Sequence, residues 1–371
     1  MDAPQAARRG YAQGRLESLD LLRGIAATAV LVYHSENFLG VQLLPRSYLA
    51  VDLFFVLSGF VIAHNYDRRL AQGMTTADFM VQRLIRLYPC YALAFAFTFA
   101  LGAFRMAHVA GRVDAPALAL AGALNAVLLP AFNRPYGVGV LFPFNGASWS
   151  IFFELVANLL YCWFFRLLNA RTLAFVVALS GVVLGVAATR CGTIDLGMRP
   201  GDFAYGFPRV LFSFFAGVAI RRYVPGGSST AQQGARVALL GLVVVALFAG
   251  TPLLPGLNGQ LFCVLVVMPL LVVLASRIQV EGGVRRFSTW AGDSSYPVYL
   301  LQGGFFLLFA AVPQALHRKS AEFTPWIGVA LVATTVGVSL AVDRYFELPI
   351  RTSLKRRWQA SRRGTSARST A

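Results

Sequence analysis

Apolar runs of roughly 15 to 20 residues recur from residue 20 to residue 343 with only short polar breaks, and a run of that length is what a helix needs to cross the hydrocarbon core of a bilayer. Backbone in lipid must satisfy its own hydrogen bonds, so a chain built of such runs folds as a helix bundle. The composition agrees: 57% of residues are hydrophobic and 13% charged, with a mean hydropathy of +0.62, whereas soluble domains carry roughly 25% charged residues. A soluble fold is excluded. The fold class read here is all-α, a polytopic transmembrane bundle forming one membrane domain.

Candidate apolar segments are 20–39, 48–65, 87–105, 115–131, 149–168, 171–189, 204–221, 236–250, 258–275, 296–313 and 325–343. An odd number of spans would put the Arg-rich tail opposite the basic N-terminus, against the positive-inside bias. The short, Ala-rich segment 115–131 is therefore read as a re-entrant or partial helix, which leaves about ten spans. With both termini cytoplasmic, most of the 33 Lys and Arg then fall on the inner side. The resulting division is a cytoplasmic N-terminal segment 1–15, a membrane domain 16–350 and a basic, disordered cytoplasmic tail 351–371. Residues Thr75 to Pro89 read as an amphipathic helix at the inner interface that feeds the third span.

The net charge of +17 does not imply nucleic acid, because the arginines sit in short clusters between apolar runs rather than on one basic face. Cys90, Cys162, Cys191 and Cys263 are far apart and show no Cys/His ligand spacing, so no metal is expected. Arg8, Arg9 and Arg15 precede the first run as they would in a signal peptide. Arg23 and His34 interrupt that run and no small-residue cleavage pattern follows, so it reads as a retained span.

Ionisable groups inside spans are costly, which makes each one a candidate for function. Arg23 and His34 share the first span, about 16 Å apart along its axis. Asp52, at the outer start of the second span, and Glu154, near the outer start of the 149–168 span, reach the depth of His34; either could orient its imidazole. Ser150 and Glu154 lie one turn apart on one face, after Trp149. At the inner side Arg83 and Arg86 share a helix face and Arg23 joins them in depth, a set suited to phosphate oxygens. A lone intramembrane histidine serves an interhelical hydrogen bond as readily as catalysis. The neighbouring acids favour catalysis.

These residues lie in an ordered set of motifs: Leu19-Asp20 through Arg23-Gly24 to His34; Val51-Asp52 through Ser58-Gly59-Phe60; Arg83 through Arg86 to Tyr88-Pro89; Trp149-Ser150 to Glu154; Ser295-Tyr296 through Tyr299 to Gln302; and Glu347 to Pro349. In that order and over nearly the whole chain, the sequence resembles the acyltransferase-3 family of integral membrane acyltransferases. The resemblance implies importance for Arg23, His34, Arg83 and Arg86. It also implies an acyl-CoA donor, with acetyl-CoA the default and no tightly bound cofactor. One departure is Gln302, where family members often carry histidine.

On this reading Arg23, Arg83 and Arg86 hold the phosphates of acyl-CoA. His34, Asp52 and Glu154 form the catalytic group, with His34 as base or transient nucleophile. Trp149, Ser150, Tyr299 and Gln302 line the substrate site. The acceptor implied by the resemblance is a hydroxyl of a surface or lipid-linked carbohydrate, and the location a bacterial inner membrane, with membrane lipids the other partner. The alternative is a proton-coupled or anion transporter built on the same intramembrane polar residues.

Overall fold

The computed structural model is all-helical over the residues it describes, 16–109, 114–133, 139–225, 233–250 and 254–369. The N-terminal segment 1–15, with Arg8, Arg9 and Arg15, lies outside the described residues. Helix α1 covers Glu17–His34, α2 Ala50–Ala71, α3 Thr76–Val109 and α4 Ala115–Ala126. Next come α5 Ser148–Trp163, α6 Ala170–Cys191, α7 Gly206–Tyr223 and α8 Gln233–Ala249. Helix α9 runs Gly256–Ser276 through a π turn at Cys263–Val267, and α10 is Gly282–Ala315. Helix α11, Trp326–Val342, passes through a second π turn at Asp343–Glu347 into α12, Leu348–Ser369.

By length and composition, seven helical stretches among the described residues can cross a membrane: α2, α3, α6, α7, α9, α10 and the α11–α12 run. Glu17, Asp20 and Arg23 keep α1 out of that set, and α5 has only 16 residues. Helix α4, inside segment 115–131, has 12 residues, a length of about 18 Å against a hydrocarbon core of roughly 30 Å.

Two boundaries differ from the sequence reading. The interfacial segment 75–89 and the span after it form one 34-residue helix, α3, with Pro89 inside it. A proline removes one helical hydrogen bond; close by, the Tyr296 hydroxyl donates to the Leu87 carbonyl at 2.8 Å. The tail expected to be disordered is helical as α12. Arg351 reaches back one turn to Glu347 at 2.9 Å, and Arg362 pairs with Asp78 of α3, so the basic tail finds carboxylates to order it.

Two close helix pairs build the bundle. Helices α1 and α10 run in the same direction, Asp20 beside Gly292, Arg23 beside Ser295 and His34 beside Gln302. A Cβ at Gly24 would meet Ala291 at 2.5 Å, and one at Gly292 would meet Asp20 at 2.5 Å. Helices α2 and α7 also run together: a Cβ at Gly59 would fall on the Phe214 carbonyl oxygen and one at Gly217 on that of Val56. Small residues at such crossings allow the backbone approach on which helix association in lipid relies.

Gly59→Ala should therefore destabilise the protein by about 1–3 kcal/mol through overpacking against rigid backbone. Gly102→Ala, on α3 with open space around its Cα, should be neutral or slightly stabilising. Thermal midpoints of the two variants in detergent check the difference; equal midpoints would show that the α2–α7 contact tolerates a methyl group.

Candidate active site

Five helices surround a cavity of about 160 Å³. Helix α2 lines it with Val51, Phe54, Phe55, Leu57, Ser58, Val61 and Ile62, a stripe about 16 Å long. Helix α1 adds Arg23; α3 adds Arg83, Arg86 and Leu87; α5 adds Ser150, Ile151 and Glu154; α10 adds Ser295, Tyr296 and Tyr299. Each contribution is an i, i+3/i+4 set, the spacing that puts side chains on one helix face. A vestibule of about 420 Å³ adjoins it and shares Arg23, Leu57, Val61, Ile62, Arg83 and Arg86.

The three arginines read from the sequence as a group thus face one space. Each is also held by protein. Arg23 donates to Ser295 Oγ at 2.9 Å, Asp20 at 2.8 Å and the Gly292 carbonyl at 2.9 Å, and its Nη1 has no hydrogen-bond partner among the described residues. Arg83 donates from Nη2 to Glu154 at 3.0 Å, while its buried Nε has no partner. Arg86 pairs with the fully buried Glu347 and lies over the Tyr296 ring at 5.3 Å. A buried donor left unsatisfied carries a desolvation cost of about 1–3 kcal/mol, which an anionic ligand would relieve.

Glu154 also accepts from Ser58 Oγ at 2.6 Å. It faces the arginines rather than His34, and its role as orienter of the imidazole is corrected accordingly. At the other end of the α2 stripe the hydroxyls of Ser150 and Tyr299 lie 3.0 Å apart, and Tyr299 meets Phe54 edge-to-face at 5.6 Å. Trp149 turns away from the cavity; its ring packs against Phe55 and Phe153.

His34 is not among the cavity-lining residues. It lies one turn beyond Tyr299, where its Nδ1 is 3.4 Å from Oε1 of Gln302. The Gln302 amide donates from Nε2 to the Tyr299 carbonyl at 2.8 Å, which turns Oε1 toward the histidine. A carbonyl oxygen only accepts, so this contact is a hydrogen bond when Nδ1 carries the proton, the tautomer in which a neutral ring keeps its lone pair on Nε2. The orientation that the sequence reading assigned to a carboxylate is supplied here by an amide. Tyr33 and Phe306 flank the ring at centroid distances of 5.0 and 6.0 Å.

Asp52 does not approach His34 either. It is fully buried and takes a forked interaction from Arg209 of α7, 3.0 Å from Nε and 2.8 Å from Nη2. Arg209 is itself fully buried, also reaches the Leu196 carbonyl at 3.1 Å and Asp195 at 3.4 Å, and lies 5.2 Å from the Trp149 ring. Asp52, Val56 and Gly59 occupy one face of α2, the face against α7, so depth matched His34 but azimuth did not. The sequence analysis gave Arg209 no role. It gave Glu347 no role although it named the motif that contains it.

A family model described as "Acyltransferase domain" (Acyl_transf_3) matches residues 16–344. "Protein 2 in picA locus" of Rhizobium radiobacter is 40% identical over 181 residues, 46% of this chain and 93% of the relative. "Exopolysaccharide production protein ExoZ" of Rhizobium meliloti (strain 1021) is 30% identical over 263 residues, 67% of this chain and 74% of the relative. "O-acetyltransferase OatA" of Staphylococcus aureus (strain NCTC 8325 / PS 47) is 34% identical over 99 residues, 24% of this chain and only 15% of that longer protein. No solved structure matches.

Arg209→Met should leave Asp52 buried without a partner and cost about 3–5 kcal/mol, and adding Asp52→Asn should recover part of that loss. Thermal unfolding of the single and double variants in detergent reads the coupling; strictly additive losses would mean that the pair is not a unit. The match across 16–344 and the co-location of Arg23, Arg83, Arg86 and Glu154 around one cavity agree on what this protein is: the chain belongs to the acyltransferase-3 family of membrane acyltransferases.

Proposed function

We propose that the protein is a membrane O-acyltransferase that moves an acyl group, acetyl by default, from cytoplasmic acyl-CoA to a hydroxyl of a cell-surface or lipid-linked carbohydrate. The observation that carries this reading is the cavity itself: arginines at the vestibule end, an apolar stripe of α2 about 16 Å long, and a pair of hydroxyls at the far end. An extended pantetheine arm matches that succession, with phosphates among guanidiniums and a thioester beside hydroxyls. The names of two relatives, an O-acetyltransferase and an exopolysaccharide production protein, support an acetyl donor and a carbohydrate acceptor.

In this mechanism Arg23 and Arg83 take the donor phosphates, and the Tyr299 hydroxyl, turned from Ser150, whose own proton goes to the Ala147 carbonyl, donates to the thioester carbonyl. His34, held by Gln302 with Nε2 unprotonated, removes the proton of the acceptor hydroxyl as it attacks, or carries the acyl group transiently. Tyr299 lines the cavity against Phe54 one helical turn before Gln302, the partner of His34, and rotation of these rings would open the path to the histidine. In this reading both termini are cytoplasmic and the bundle has about ten spans, with the vestibule at the cytoplasm and His34 near the outer third.

His34→Ala in purified protein reconstituted into liposomes should slow CoA release from acetyl-CoA by about 10²–10⁴-fold. Gln302→Leu should lower the rate in the same direction with KM unchanged, and Arg83→Ala should raise KM for the donor. Rapid quench with radioactive acetyl-CoA and no acceptor separates the two roles of His34: acid-labile label on the histidine marks the covalent route. Solute flux without thioester cleavage would instead favour transport.

A further inference from the structure

Beyond the cavity, at the end of the bundle that carries His34, three chain segments bring together polar groups that the mechanism above does not use. Tyr33 precedes His34 at the end of α1, Tyr48 stands just ahead of α2, and Asp195 lies in the loop between α6 and α7. The Tyr33 ring lies 5.0 Å from the His34 ring and 6.2 Å from that of Tyr48, centroid to centroid. Asp195 is within electrostatic reach of Tyr33, His34, Tyr48 and Tyr299, so its carboxylate is central to the group. His34 is exposed there, while Tyr33, Tyr48 and Asp195 are half-buried.

The loop that carries Asp195 is held firmly. Ile194 and Leu196 on either side are buried, the Leu196 carbonyl accepts from Arg209 at 3.1 Å, and the Met198 carbonyl accepts from the Leu141 amide at 3.0 Å. Arg209 also reaches the Tyr48 carbonyl at 3.4 Å, so one buried guanidinium anchors both Asp195 and Tyr48. Their polar tips are left open. Asp195 meets Arg209 through Oδ1 alone, at 3.4 Å, and neither its Oδ2 nor the hydroxyls of Tyr33 and Tyr48 has a hydrogen-bond partner among the described residues. A few polar groups fixed on rigid backbone beside aromatic surface are what orients a polyhydroxylated ligand.

We propose that Tyr33, Tyr48 and Asp195 form the acceptor subsite, and that it takes a neutral sugar rather than an acidic one. The proposal rests on the O-acyltransferase reading above and adds residues that it does not use. The carboxylate accepts from ring hydroxyls, the phenols donate or accept, and the tyrosine faces offer apolar area to the C–H side of a pyranose. These groups flank the imidazole that takes the acceptor proton, so a sugar seated on them has a hydroxyl beside His34. Charge sets the preference. Asp52 and Asp195 together exceed Arg209 by one charge, and Glu36 offsets Arg46, so the surroundings are net negative and repel a uronate.

The test compares phenyl glucoside with phenyl glucuronide as acceptors from radioactive acetyl-CoA, using the full-length protein in nanodiscs that leave both faces open. The wild type should favour the glucoside in kcat/KM by about tenfold or more. Asp195→Asn, whose amide oxygen can still meet Arg209, should raise KM for the glucoside about tenfold, narrow the preference over the glucuronide and leave KM for acetyl-CoA unchanged. Tyr33→Phe and Tyr48→Phe should each raise the acceptor KM severalfold with the thermal midpoint unchanged. If Asp195 serves structure alone, its variant lowers turnover of both acceptors alike and keeps their ratio, which overturns the proposal. A wild type that acetylates the glucuronide as readily, or acetylates neither sugar while still cleaving acetyl-CoA, overturns it too and leaves the donor reading standing. If the wild type does not cleave acetyl-CoA at all, the acyl-CoA reading itself fails and takes this subsite with it.

Discussion

The absence of side chains at Gly24 and Gly292 lets α1 and α10 approach until backbone and Cβ atoms are in contact, and the rest of the site is arranged around that contact. Arg23 and His34 are eleven residues apart, about three helical turns, so they emerge from nearly the same side of α1. Because α10 runs parallel to α1, its Ser295, Tyr299 and Gln302 follow the same direction and meet them in turn. One parallel pair therefore fixes both ends of the path. The second pair, α2 with α7, supplies the long apolar wall between them, and Gly59 and Gly217 keep it close.

The deepest charges of the described bundle are paired across helices. Asp52 with Arg209 and Asp67 with Arg222 are forked pairs between α2 and α7, the second held at 2.7 Å through both guanidinium nitrogens that face the carboxylate. Such pairs repay their desolvation through geometry more than through net stability, and they fix which helix faces lie together. The pairs that border the cavity have a different character. Arg83 and Arg23 line the cavity while a carboxylate holds one side of each, and Arg83 keeps a buried Nε that no described group satisfies.

How far the sequence carried the reading follows from what periodicity encodes. Apolar runs gave the helical bundle and the short 115–131 element, because length against bilayer thickness is a property of one segment at a time. Arg23, Arg83 and Arg86 were grouped by depth and do border one space. Depth is only one cylindrical coordinate, however, and azimuth decides contact. Asp52 has the depth of His34 and the azimuth of Arg209. Glu154 has a shared face with Ser150, which was legible, but its partner Arg83 stands on a helix 71 residues earlier in the chain. The amide of Gln302, read as a departure from the family pattern, is the group that stands against Nδ1 of the histidine. Arg209 was missed because a charge at the border of an apolar run looks the same whether it sits in a loop or in the first turn of a helix.

The π turn at Asp343–Glu347 accommodates one more residue than an α-helix would, and that extra residue is what rotates Glu347 inward between Arg86 and Arg351. Loss of a single codon in this stretch would let the chain relax into uninterrupted α-helix at no cost in hydrophobicity. Everything downstream would then keep nearly its present direction and facing, because a π turn of five residues advances the chain about as far around and along the axis as four residues of α-helix. An in-frame deletion of one residue here is thus a local lesion, which moves the Glu347 carboxylate relative to Arg86 and Arg351 and leaves the C-terminal helix where it was.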